Sequence, residues 1–166
     1  SNLSGTSFLL SNLSGIDLSD VIIESTSFAK ANLSGVDFTV TSKTPYSGTI
    51  FEQANLTNSN FEDVNLSPGE TINSTFKNKA DAINLRGIAL VWNLFGPGNN
   101  NIHVMDMEVS GNDLIVNYIL FNNFVDANLE NANFRNADLQ FANFYLANLT
   151  NADLSGADLR NAFLGD

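Results

Sequence analysis

The last forty residues, "ANLENANFRNADLQFANFYLANLTNADLSGADLRNAFLGD" (127–166), decide how this chain is read. Laid out in fives they repeat one phrase, Ala-(Asn/Asp)-(Leu/Phe)-x-x, with centres at Leu129, Phe134, Leu139, Phe144, Leu149, Leu154, Leu159 and Leu164. A helix turns about 100° per residue, so five steps leave each centre about 140° from the last and no face collects them. A straight strand fails as well, because an odd spacing throws alternate centres to opposite faces. The chain must therefore bend once per repeat. If each unit is one side of a square coil, the centre and the Ala two before it can both point inward on every side, and four units close one coil.

The same register runs through the amino end, where Leu3, Phe8, Leu13, Leu18, Ile23, Phe28, Leu33 and Phe38 are centres. Their inward partners are Ser1, Thr6, Ser11, Ile16, Val21, Thr26, Ala31 and Val36. Phe51, Leu56, Phe61 and Leu66 resume it 13 residues beyond Phe38, which is two units plus three or one unit plus eight. Pro45 and Gly48 mark the interruption as a surface loop. Counting back from Phe124 gives Ile119, Leu114, Val109 and Val104 as degenerate centres, with Asn122, Asn117, Asn112, Met107 and Ile102 at the small-residue position. Between 67 and 101 only Phe76, Leu85 and Leu90 fit as centres, in two registers. There "INLRG" continues the coil, or Lys79 to Phe95 forms a helix along Ala80, Ile83, Gly87, Val91 and Leu94, stopped by Gly96-Pro97-Gly98.

This phrase resembles that of the pentapeptide repeat proteins, and eight consecutive units carry the resemblance. It implies an all-β fold, a right-handed quadrilateral β-helix solenoid. With 166 residues and 20 per coil the expectation is a single domain, 1–166, of about seven coils. Its regular coils fall at 1–38, 51–66 and 102–166, with a loop insertion near 39–50 and an irregular, part-helical or coil segment at 67–101. The expected core ladder comprises Phe8, Phe28, Phe124, Ala127, Leu129, Phe134, Leu139, Phe144, Ala147, Leu149, Leu154 and Leu159. Enlarging Ala147 should overpack this column, whereas the outward Asn148 should tolerate replacement.

Charge separates the segments. Residues 1–66 carry seven acids and two bases, 67–101 two and three, and 102–166 nine and two, for a net charge of −11. An acidic surface disfavours direct nucleic-acid binding, which needs basic groups, and favours a basic protein partner. No stretch is long and apolar enough to cross a membrane. Zero cysteines remove disulfides and thiolate metal sites. The compartment stays open: cytoplasm, or periplasm or thylakoid lumen if a leader preceded Ser1.

Candidate chemistry is sparse. His103, Glu108 and Asp113 occupy like positions on successive sides, but such sides diverge by about 90° and three ligands of one ion must converge. Asp138 and Asp158, and Asp17 and Asp37, are 20 residues apart and should stack, yet a convex surface gives a carboxylate pair no cleft. The Asn-Leu-Ser/Thr sequons at Asn2, Asn12, Asn32, Asn55 and Asn148 are by-products of the phrase, and Gly5, Gly15, Gly35 and Gly156 are corners. No enzyme and no cofactor is expected. Candidate partner-facing residues are Tyr46, Trp92 and Phe95 in the irregular segments, and Leu159, Phe163 and Leu164 on the last coil, through which a homodimer could form. The resemblance implies a non-enzymatic structural or protein-interaction rod, a type abundant in cyanobacteria. The alternative is an acidic DNA mimic that binds DNA gyrase, as in quinolone-resistance relatives. The Ala-(Asn/Asp)-Leu style and the absence of a carboxy-terminal helix favour the first.

Overall fold

In one five-residue unit, Ala31-Asn32-Leu33-Ser34-Gly35, all five backbone N–H groups have partners, and none of them lies within the unit's own backbone. Ala31 N–H donates to Phe28 O of the preceding side, Asn32 N–H to Ser11 O in the coil before, and Leu33 and Gly35 N–H to Asn55 O and Thr57 O in the coil after. The fifth, Ser34 N–H, donates to the side chain of Asn32 (3.2 Å to Oδ1). A side of three extended residues is too short to pair with itself, so stacking is what satisfies the backbone. The corner residue takes a left-handed conformation, as at Gly35 (φ 70°) and at non-glycine corners such as Lys30, Asn58 and Asn131 (φ 57°, 58° and 57°).

The computed structural model describes residues 1–39, 46, 48–80, 94 and 101–165. By its contacts the chain forms two compact units, Ser1–Pro68 with Phe121–Asp166, and Gly69–Leu120. The first unit is the coil. Its parallel bridges step by four repeats, as in Asn12↔Asn32, Asn128↔Asn148 and Asp138↔Asp158. The longest ladder runs Ser7, Ser27, Ile50, Asn123, Asn143 and Phe163. It crosses both interruptions without losing register.

Inside, one column of stacked rings holds Phe8, Phe28, Phe51, Phe124 and Phe144, with centroids 5.4, 5.5, 4.9 and 4.8 Å apart. A second holds Phe38, Phe61 and Phe134 at 4.2 and 4.8 Å. The two meet edge to face, Phe51 on Phe61 and Phe124 on Phe134, both at 6.0 Å. Of the expected ladder, Phe28, Phe124, Ala127, Leu129, Phe134, Leu139 and Phe144 are buried, while Phe8, Ala147, Leu149, Leu154 and Leu159 are partly buried against the same core. Small inward residues are what let the columns close. Ala132, Ala137 and Ala142 are fully buried, and Thr26 and Thr49 give their hydroxyls to the carbonyls of Leu3 and Ile23.

The first interruption is shorter than expected. Tyr46, Thr49 and Ile50 lie in the coil, because Tyr46 is itself a centre, eight residues after Phe38 and five before Phe51. A centre's carbonyl normally accepts the N–H of the next inward residue, as Phe28 O accepts from Ala31. Phe38 O accepts the Tyr46 hydroxyl. At the second interruption the Asn122 amide does the same for Leu66 O (2.6 Å), while its Oδ1 accepts Thr49 N–H (3.0 Å). Both interruptions are thus closed by a buried polar side chain on the returning strand.

The second unit corrects the reading of 102–120 as coil. Strands β1 (Ile72–Phe76), β2 (Ile102–Ser110) and β3 (Asp113–Leu120) form an antiparallel sheet in the order β1-β3-β2. Val104, Val109, Leu114 and Ile119 are strand residues, and Phe76 ends β1 opposite Leu114. "SGND" is a two-residue hairpin loop with Gly111 at positive φ (64°), the backbone that puts glycine first in such turns. In β3 the alternation that buries Leu114 and Val116 follows the period of two. Five-residue spacing arose there because apolar residues are dense on both strands. Met105 is the extra residue of a bulge in β2 and is exposed. Leu85, Leu90, Trp92, Phe95 and the choice between coil and helix over 81–93 lie outside the described residues.

Two measurements check this packing. Ala137→Leu should destabilise by about 1 to 3 kcal/mol by overpacking, whereas Ser59→Ala should be neutral or stabilising. The Ser59 hydroxyl is buried and finds no hydrogen-bond partner among the described residues. Equal losses in thermal melts would refute the inward assignment. For the turn, Asn128→Leu should cost about 1 kcal/mol by analogy with the loss of a side-chain cap, and Asn128→Asp less, since an acceptor for Glu130 N–H (3.2 Å) is kept.

Candidate interaction surface

The outward row of the coil is built from short polar side chains that turn back on their own backbone. Asn2, Asn12, Asp17, Asn32, Asp37, Asn55, Asn60, Asn65, Asn123, Asn128, Asn133, Asp138, Asn143, Asn148, Asp153 and Asp158 each accept the N–H two residues on. Asx turns of this kind suit Asn and Asp because their short side chain carries its oxygen two bonds beyond Cβ, within reach of the N–H two residues on. The same asparagines bond between coils, Asn32 to Asn12 (3.0 Å), Asn55 to Asn32 (3.1 Å), Asn133 to Asn60 (3.1 Å) and Asn148 to Asn128 (3.0 Å). Asn148 is therefore engaged on three counts, since it also accepts the Thr150 hydroxyl at 2.6 Å, and its replacement is not the neutral change expected from an outward position.

Carboxylates are distributed unevenly on these rungs. One ladder, Asn12, Asn32, Asn55, Asn128 and Asn148, has none, and the next, Asp37, Asn60, Asn133 and Asp153, is interrupted by two asparagines. Asp138 and Asp158 do stack as a rung, while among the described residues no bridge joins Asp17 to Asp37. Arg160 chelates Asp158 (2.6 and 3.0 Å to Oδ2), and Arg135 lies 3.8 Å from Glu62. The hydrogen bond from Arg160, then its backbone N–H, holds Asp158 below the usual carboxylate range; the Ser19 and Ser155 hydroxyls do the same for Asp17 and Asp153. Acids held ionised in this way are poor proton donors near neutral pH.

The His103, Glu108 and Asp113 set singled out in the sequence does not form a metal site. His103 and Glu108 lie on β2 and Asp113 on β3, where Lys77 Nζ approaches Asp113 to 2.6 Å and, as a hydrogen-bond donor, lowers its pKa. Among the described residues no group of three His, Cys, Asp or Glu side chains could share a metal ion.

Of the expected partner-facing residues, Tyr46 is a correction: it is buried, its ring edge-on to Phe38 at 6.3 Å. It is large enough to serve as a core centre, which a position next to Pro45 concealed. Leu159 is partly buried, Phe163 and Leu164 are 53% and 51% exposed, and Trp92 and Phe95 lie outside the described residues. The sequence reading missed Leu9, Leu10, Tyr145 and Leu146, all exposed, with the Tyr145 ring 5.9 Å from that of Phe163. The signal was present in "FLL" and "FYL", where the two positions after a centre hold apolar residues in place of Ser, Thr, Gly or Asn.

Comparison with known proteins agrees with the coil. The family model for pentapeptide repeats matches in eight copies over residues 1–39, 46–67 and 123–166, leaving out the antiparallel sheet. No curated protein matches. Among solved structures, HetL, a pentapeptide repeat protein involved in heterocyst differentiation regulation from the cyanobacterium Nostoc sp. strain PCC 7120, superposes with a TM-score of 0.61 at 22% identity. That match covers 98% of this chain and 51% of HetL, so the chain spans about half the length of that relative. Rfr23 from the cyanobacterium Cyanothece 51142 (TM-score 0.34, 18% identity, 99% and 88% covered) and QnrB1, a plasmid-mediated fluoroquinolone resistance protein (0.24, 16%, 98% and 75%), are more distant in shape. With repeat phrase, inter-coil ladder and family match falling on the same residues, the chain belongs to the pentapeptide repeat family.

Proposed function

We propose that this chain is a non-enzymatic protein-interaction scaffold, a right-handed quadrilateral β-helix whose partner is a protein with a basic surface. The observation that carries this reading is the engagement of the outward row. Its asparagines and aspartates are bound to the backbone and to one another, so they hold the coil rather than act on a substrate. What varies from coil to coil is the pair of positions after each centre, and variation confined to a rigid frame is how repeat arrays present binding surfaces. The net charge of −11 favours a cationic partner through long-range attraction.

A gyrase-binding DNA mimic is the second reading, and the acid content favours it. Double-stranded DNA carries a charge about every 1.7 Å along its axis. Here one outward ladder is wholly asparagine and another is broken by Asn60 and Asn133. With charge absent from so many rungs, the chain should leave gyrase supercoiling unchanged at low micromolar protein. Dose-dependent inhibition that disappears on raising salt would replace the scaffold reading with the mimic.

A further inference from the structure

Five corner residues, Leu10, Lys30, Gln53, Asp126 and Leu146, stand on consecutive coils along one edge of the coil unit. Each lies two residues after a phenylalanine centre, and their N–H groups link the coils in order, Leu10 to Ala29 O, Lys30 to Glu52 O, Gln53 to Val125 O and Asp126 to Tyr145 O. All five have the same left-handed backbone, φ between 55° and 61°. All five are exposed.

We propose that this edge is a docking surface for a second copy of this chain, packed antiparallel about a two-fold axis through Gln53. Read in one direction the row is Leu-Lys-Gln-Asp-Leu, and in the other Leu-Asp-Gln-Lys-Leu. A two-fold therefore sets Lys30 opposite Asp126 of the second copy, twice, and Leu10 opposite Leu146 of the second copy, twice. Gln53 meets its own equivalent, and an amide can both donate and accept. A parallel arrangement would place Lys30 on Lys30 and Asp126 on Asp126, so charge selects the antiparallel one. The adjoining row agrees, with Leu9 opposite Tyr145 and Ala29 opposite Val125. Glu52, at the axis, is the single like-charged contact.

Two features of the chain alone agree with a partner on this edge. Among the described residues Lys30 makes no ion pair, and Asp126 has no cation, only the Gln53 amide at 3.3 Å. Leucine is also out of place at Leu10 and Leu146: it is 72% and 51% exposed there, in a backbone state that favours Gly, Asn or Asp. Among described non-glycine residues with positive φ, Leu10, Phe141 and Leu146 are the apolar ones. Four rung spacings span only about 19 Å, so the dimer is a weak, concentration-dependent one. The inference rests on the coil geometry and not on the scaffold reading.

Sedimentation of the full chain, from low micromolar to about half millimolar, tests it in the range expected of a small interface. The parent should pass from monomer to dimer over that range. Lys30→Asp and Asp126→Lys should each weaken association about tenfold or more, because two exposed pairs become repulsive, and the double variant should recover the parent's association. Glu52→Gln should tighten it. Thermal melts of the variants, taken where the chain is monomeric, should match the parent, and recovery in the double variant separates a lost interface from a lost fold. A monomer at every concentration, association indifferent to either reversal, or a double variant as weak as the singles would overturn the proposal.

Discussion

A side of three extended residues between two bends leaves its backbone N–H and C=O groups pointing along the stack, where only another coil can meet them. Every other feature of the coil unit depends on that constraint. It requires a corner in the left-handed region once per repeat, an inward residue small enough to let neighbouring walls close, and a side chain able to reach the one N–H that faces no coil. Gly35 or Asn58, Ala137, and Asn32 or Asn128 answer those three needs in turn. The aromatic columns follow, because residues on consecutive rungs are held at about the stacking distance of two rings.

Because the constraint is local to each rung, the ladder can be interrupted if the broken bond is replaced. Two carbonyls beside the interruptions, those of Phe38 and Leu66, are met from inside the core by the Tyr46 hydroxyl and the Asn122 amide. Thr49 ties the two sites together, its N–H meeting Asn122 and its hydroxyl the carbonyls of Ile23 and Tyr46. A buried polar group is costly unless paired, so these residues are specific to the interruptions and would be poor choices elsewhere in the column.

The regular repeats were legible from sequence because centre and inward positions obey a single period, and the phenylalanine and alanine columns follow from counting. Three things were not. Tyr46 was hidden because an interruption of three extra residues looks like a long loop when its first returning centre is a tyrosine. The strands β2 and β3 were hidden because a segment dense in Ile, Val and Leu satisfies a period of five as readily as a period of two; only Gly111 and the alternation in "DLIVNYIL" separated them. The role of the outward Asn and Asp was hidden because a polar outward residue is ordinarily read as solvation, and its bond to the N–H two residues on carries no long-range periodicity of its own. The candidate surface was the least legible part, since it lies at the two positions that the repeat phrase leaves unspecified.

The account makes the ladder Ser7, Ser27, Ile50, Asn123, Asn143 and Phe163 a single hydrogen-bonded unit that passes through both interruptions. Amide hydrogen exchange resolved to individual residues tests this directly. Phe51 and Asn123 N–H, which bond to Asn123 O and Thr49 O across the second interruption, should be protected as strongly as Phe124 and Leu129 N–H, which bond to Asn143 O and Asn148 O between uninterrupted coils. Protection that collapses at Phe51 and Asn123 while persisting at Phe124 and Leu129 would contradict it, leaving two separate short stacks in place of one.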